Sequence, residues 1–238
     1  MCEEETMEVS FSDKKTKALH QHLRDKMKYE RTGFHLSDAI FCNHKPLLRE
    51  RFNLNASNDQ IALFATGHAF QYWLSPVSQE DSRVYEVDGV QMTPDFTNTY
   101  FAQVHIKLAE FKSTRSSLRK FTEKDMRDIS HHYVQQKMGY CKALETQESD
   151  LIILFLMGDY RPPFPIFKVW EYKFTQDEID TWWTEVLRRK EIFNRAVRDG
   201  SLPEEHIMVG KWECNYCECT SVCPIYEDKL LNGNRMNG

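Results

Sequence analysis

Three side chains in the middle of the chain have the types and spacing for phosphodiester chemistry. Asp95 stands in Met92-Thr-Pro-Asp-Phe96, and Glu110 and Lys112 stand in Leu108-Ala-Glu-Phe-Lys112. The stretch 101–112 alternates Val104, Ile106 and Leu108 with His105, Lys107 and Ala109, which is the period of a strand. Residues two apart on a strand share a face, so Glu110 and Lys112 point together and Phe111 points away. With the apolar segment 84–96 paired beside this strand, Asp95 reaches the same spot. Two carboxylates and an ammonium at the rim of a sheet are equipped to hold a divalent cation and activate a water against a phosphodiester. The same pattern also describes an ordinary solvated sheet face, so the rest of the chain has to decide between them.

A second group lies near the C-terminus, where Cys214, Cys217, Cys219 and Cys223 fall within Trp212-Glu-Cys-Asn-Tyr-Cys-Glu-Cys-Thr-Ser-Val-Cys-Pro224. The first five residues are acidic and lack an apolar run, so no secretory signal is read and the expected location is cytoplasmic. There the seven cysteines are expected to be thiols or metal ligands rather than disulfides. A Cys-x2-Cys turn places two thiolates on one ion or cluster. The spacing is strong evidence for a metal and leaves iron and zinc both open. Cys42, on an expected helix far upstream, reads by itself as a small core residue.

The elements that must position these groups are visible in the hydrophobic pattern. An amphipathic, mainly solvated arm is expected over 13–30. Ser37 reads as an N-cap for a helix from Asp38 to about Phe52. A second helix is expected over 61–74, bearing Gly67, His68 and Gln71, with His68 and Gln71 on one face. Strands follow at 84–96 and 101–112. The stretch 112–127 is basic, and Arg115, Arg119, Lys120 and Lys124 form an expected phosphate-gripping surface. A helix over 123–145 carries Gln136 and Tyr140, four apart, with their polar tips on one face. Leu151 to Met157 reads as a doubly buried strand and 166–174 as one nearer an edge. A capping-box start at Thr175-Gln-Asp-Glu178 opens the helix that ends at Gly200. Strands interspersed with helices imply a mixed α/β domain, a central sheet flanked by helices.

Composition narrows the function classes. The formal net charge of −5 argues against indiscriminate nucleic-acid binding and leaves room for a local basic patch. No apolar run approaches the roughly 20 residues of a membrane span, and no P-loop is present.

Taken in order, Cys42, Asp95, Glu110-x-Lys112, Gln136-x3-Tyr140 and Cys214-x2-Cys217-x5-Cys223 resemble the iron–sulfur RecB-like nucleases of the PD-(D/E)XK superfamily. The nearest likeness is to the CRISPR-associated iron–sulfur exonuclease family. The resemblance spans about residues 34–224. It implies a restriction-endonuclease-like core over 34–200 and a C-terminal iron–sulfur segment in 201–238, which also holds the tail; the charged helical arm over 1–33 lies outside it. It further implies that Cys42, Cys214, Cys217 and Cys223 hold a 4Fe–4S cluster that clasps the two ends of the chain. Asp95, Glu110, the Phe111 carbonyl and His68 would hold Mg²⁺ or Mn²⁺, with Lys112, Gln136 and Tyr140 completing the catalytic set. The implied activity is metal-dependent exonuclease action on single-stranded DNA or overhangs in CRISPR spacer acquisition, beside the CRISPR integrase complex and away from membranes. Service in phage or helicase-associated recombination is a second possibility. A non-catalytic iron–sulfur DNA-binding adaptor and a zinc-ribbon-like protein are others. The sequence departs from the family in two places. Gln71 stands where the family's Gly-x3-His motif has its metal-binding histidine, making His68 the expected substitute. Cys219 is an additional cysteine.

Overall fold

A computed structural model describes residues 12–26, 32–74, 83–118, 121, 126, 131–156 and 165–226. The chain opens with α1 (Asp13–Lys26), β1 (Phe34–His35), α2 (Leu36–Ile40), α3 (His44–Phe52) and α4 (Asn58–Leu74). Four strands follow: β2 (Tyr85–Val87), β3 (Val90–Met92), β4 (Phe96–Phe101) and β5 (Val104–Thr114). The remainder is α5 (His131–Ala143), β6 (Glu148–Phe155), β7 (Ile166–Lys173), α6 (Gln176–Arg198), the single turn α7 (Trp212–Asn215) and a 3₁₀ turn over Thr220–Val222.

The strands form two sheets, a small one in the order β1-β3-β2 and a larger one in the order β4-β5-β6-β7. In the larger sheet β5 runs parallel to β6, with Glu110 opposite Leu151 and Lys112 opposite Ile153. Both outer pairs are antiparallel. This is the mixed α/β architecture expected from the pattern. Parallel neighbours need a crossover, and α5 supplies it. One face of the larger sheet buries Phe96, Ala109, Phe111, Ile152 and Leu154 against Phe70 and Leu74 of α4. Leu151, Ile153 and Phe155 of β6 face the other way, against Met126, Tyr133 and Trp170. The main core joins Leu108 to Met138 and Tyr140 of α5 and to Ile179, Trp182, Trp183 and Val186 of α6.

The structure corrects two expected elements, and both corrections matter to the candidate site. The segment 84–96 is not one strand. Asp88 and Gly89 have φ of 50° and 67°, the left-handed pair that a two-residue hairpin turn demands, so β2 and β3 fold back on each other within it. After β3 the chain leaves the small sheet, passes Pro94, which has no N–H for a ladder, and joins the large sheet at Phe96. Asp95 therefore sits in the link between sheets. The expected helix 38–52 is likewise two helices, broken over Phe41–Asn43. Asn43 holds the break open: its Nδ2 donates to the Glu205 carbonyl at 2.8 Å and its Oδ1 accepts from the Ile207 amide at 3.0 Å. Cys42 thus lies between helices. The cap is also displaced by two residues, since His35 precedes α2 and its amide donates to Asp38 at 2.9 Å.

Elsewhere pattern and structure agree closely. The Thr175 side chain accepts from the Glu178 amide at 3.2 Å to open α6, and Gly200 follows it with φ +61°. The arm helix α1 buries no residue and touches α4 through Arg24, whose Nη2 donates to Asn58 at 2.7 Å. The expected strand at 151–157 lies at 148–155. The expected helix 123–145 is described over 131–143, and most of its first turns lie outside the described residues. No described helix is long and apolar enough to cross a membrane.

Candidate active site and cysteine cavity

The acid site is assembled by three elements and one link. β5 contributes Glu110 and Lys112, the link after β3 contributes Asp95, α4 contributes Gln71 and α5 contributes Gln136 and Tyr140. Asp95 is tied at both oxygens. Its Oδ2 accepts from the Phe111 amide at 2.7 Å and its Oδ1 accepts from Gln71 Nε2 at 2.6 Å. Glu110 is only 2% exposed. Its Oε1 accepts from Lys112 Nζ and, at 2.8 Å, from Gln136 Nε2. Gln136 Nε2 also donates to Tyr140 Oη at 2.6 Å, and that hydroxyl approaches the Thr93 carbonyl at 3.5 Å. Among the described residues, Glu110 Oε2 and Gln136 Oε1 are buried without a hydrogen-bond partner.

The electrostatics follow from this crowding. Burial and the adjacent Glu110 carboxylate push Asp95 well above the usual carboxylate range, with Lys112 and the Phe111 amide pulling more weakly the other way. Burial would lower Lys112, but the Glu110 and Asp95 carboxylates outweigh it and hold its ammonium above the ordinary value. Burial, reinforced by the same two carboxylates, raises the Tyr140 phenol. Two acids in a buried site with one ammonium leave a deficit of positive charge. An acid oxygen with no donor to satisfy it is an expensive arrangement in a low dielectric. A divalent cation bound there would relieve both problems.

Helix α5 reaches this point because a small residue lets it come close. A Cβ on Gly139 of α5 would lie 2.3 Å from Leu36 Cδ2, so only glycine lets α5 pack this tightly on α2. A Cβ on Gly67 of α4 would make ordinary contact with Ser113 Oγ at 3.5 Å, which places α4 directly over β5.

The second region is a cavity of about 890 Å³ lined by Cys42, Cys214, Cys217 and Cys223, with Lys45, Arg49 and Arg115 also on its wall. Cys42 Sγ lies 3.4 Å from His206 Nε2, and the Cys42 amide donates to Glu213 at 3.0 Å. Burial pushes the Cys42 thiol up to about 11. Cys219 is buried with its thiol against the Lys45 carbonyl at 3.8 Å, and its amide donates to Cys217 Sγ at 3.4 Å. Among the described residues, no three His, Cys, Asp or Glu side chains are grouped closely enough to hold a single metal ion. The polypeptide itself fastens the tail to α3. Lys45 and Arg49 pair with Glu218 at 3.1 and 3.0 Å, and His44 Nε2 lies 3.0 Å from the Pro203 carbonyl.

The structure thus brings together Asp95, Glu110, Phe111, Lys112, Gln136 and Tyr140 in one place and sets the four cysteines around the wall of one cavity. His68 is exposed on α4, and Gln71 is the α4 side chain that meets Asp95. Arg115 is exposed and stands at the wall of the cysteine cavity. Arg119, Lys120 and Lys124 lie outside the described residues. Sequence reading also missed His206 and Glu213 beside Cys42. A histidine eight positions before the first tail cysteine and a glutamate adjoining it were the available signals. Lys137 was missed too. It is 0% exposed, its Nζ donates to the Tyr133 carbonyl at 3.0 Å and lies 3.8 Å from the Tyr172 ring centroid, and burial lowers it to about 7.

No protein-family model matches the sequence, and no curated protein matches it. The fold is similar to the crystal structure of SSO0001, at 17% identity and a TM-score of 0.55, covering 89% of this chain and 96% of that one. Two exonucleases are more distantly similar. One is a phage related exonuclease from Haemophilus somnus 129PT, at 9% identity and a TM-score of 0.40, covering 80% of this chain and 85% of that one. The other is an alkaline exonuclease from Laribacter hongkongensis, at 13% and 0.38, covering 65% and 79%. The likeness to SSO0001 bears on fold alone, and the two weaker ones carry no conclusion about this chain.

Proposed function

We propose that the protein is a metal-dependent deoxyribonuclease that acts on single-stranded DNA ends or overhangs. The observation that carries this reading is the half-buried Asp95 and the buried Glu110, with Lys112 paired to Glu110 and the other Glu110 oxygen unpartnered. Asp95, Glu110 and the Phe111 carbonyl would hold Mg²⁺ or Mn²⁺. Such an ion supplies Lewis acidity at the scissile phosphate and lowers the pKa of a bound water. Lys112 places its ammonium where charge develops on the phosphate oxygens. Gln136 fixes Glu110 by the Nε2 bond, and Tyr140 fixes Gln136. Arg115, with Arg119, Lys120 and Lys124, supplies cations for the DNA backbone.

Cys42, Cys214, Cys217 and Cys223 would hold a 4Fe–4S cluster with a structural role, reinforcing the contacts that already join α3 to the tail. The cavity they line in common supports this set of four, although the buried Cys219 also lies against Cys217. The sequence resemblance places such an enzyme in CRISPR spacer acquisition, trimming DNA beside the integrase complex. Phage or helicase-associated recombination is the alternative setting. The test is digestion of end-labelled single-stranded DNA with Mg²⁺, Mn²⁺ or chelator. Cleavage is expected only with metal, and activity that survives Asp95→Ala or Lys112→Ala would refute the site.

A further inference from the structure

We infer that Gln71 is the third protein side chain of the cation site, so that the site is built of oxygen donors alone and takes Mg²⁺ as readily as Mn²⁺. The inference rests on reading Asp95 and Glu110 as cation ligands. Gln71 Nε2 lies 2.6 Å from Asp95 Oδ1. An amide head group that close to a ligand oxygen is within reach of an ion bound on its side of that oxygen. A primary amide offers a donor end and an acceptor end and presents either by rotating about its last bond. Toward the bare carboxylate it presents nitrogen. Toward a cation it presents Oε1, which suits a hard ion.

The placement is set by packing. α4 lies over β5 with Gly67 against Ser113, one residue beyond Lys112, and one helical turn later Gln71 faces Asp95. Among the described groups hydrogen-bonded to the two acids or to Gln136, each is an oxygen donor or cannot ligate. The Phe111 carbonyl, Gln136 Oε1 and Tyr140 Oη are oxygens, and the Lys112 ammonium has donors only. Imidazole nitrogen would shift a site toward transition metals, whereas carboxylate, carbonyl and amide oxygens suit Mg²⁺, Ca²⁺ and Mn²⁺. The glutamine is therefore a selectivity device. It withholds the nitrogen that would favour Mn²⁺ over the more abundant ion.

The experiment measures Mn²⁺ binding to the full chain by the signal of free Mn²⁺ in electron paramagnetic resonance, with Mg²⁺ as competitor, alongside cleavage in each metal. Gln71→His is expected to move the Mn²⁺/Mg²⁺ preference at least about tenfold toward Mn²⁺. Gln71→Glu, which retains an oxygen at the same place, is expected to keep Mg²⁺ binding. An unchanged preference in Gln71→His, or loss of Mg²⁺ binding in Gln71→Glu with the fold intact by circular dichroism, would overturn the assignment. Cleavage by the wild-type chain would leave the nuclease reading standing in that case. Cation binding with the expected Gln71 dependence but no cleavage would instead overturn the nuclease reading and leave the ligand assignment in place.

Discussion

At the acid site the functional side chains themselves are held: Phe111 and Gln71 hold Asp95, and Lys112 and Gln136 hold Glu110. At the cysteine cavity the protein mainly holds the framework. Asn43, His44, Lys45 and Arg49 bind the 203–218 segment, and the cysteines line the space between. The first region is therefore preorganised by its own hydrogen bonds and fails abruptly when one member goes, because a buried partner is left unpaired. The second spreads its attachment over many contacts, so removing one cysteine should spare the fold.

The sharpest way to break this contrast is at the acids. Asp95→Ala or Lys112→Ala should reduce DNA cleavage by about 10³-fold or more while iron content, measured colorimetrically, stays at the wild-type level. The reverse dissociation is expected at the cavity. Cys214→Ser or Cys223→Ser should lose the visible absorbance of an iron–sulfur cluster, whereas Cys219→Ser should keep it. Equal loss in all three would erase the distinction drawn from the Cys219 thiol facing Lys45.

Smaller effects test what the two regions share. Gly139 lets α5, which bears Gln136 and Tyr140, pack on α2, which leads into Cys42. Gly139→Ala should cost about 1–2 kcal/mol in chemical denaturation, because Leu36 is buried and cannot swing clear, even though alanine is the better helix former. Lys137 gives the smallest and most specific signal. Its folded pKa of about 7 lies below the unfolded value of roughly 10.4. The unfolded chain binds the extra proton between those values, so stability rises with pH across that window and is lost as pH falls through 7. Lys137→Met should flatten the melting temperature against pH between about 7 and 10.

Strand and helix types, the period-two face shared by Glu110 and Lys112, the capping box at Thr175 and the cysteine spacings were all legible in the amino-acid order. Each depends on residues a few positions apart, where backbone geometry alone dictates which side chains share a face. The break at Cys42 was not legible, since it is held by Asn43 reaching Ile207, 164 positions away. The displacement of Asp95 into a link between sheets had a local cause in Asp88-Gly89, but its consequence depends on how the two sheets pack. The expectation of His68 rather than Gln71 beside the acid failed for the same reason. Both lie on one helix at spacings that local geometry treats alike, and only the close seat of α4 on β5 decides which of them faces the acid.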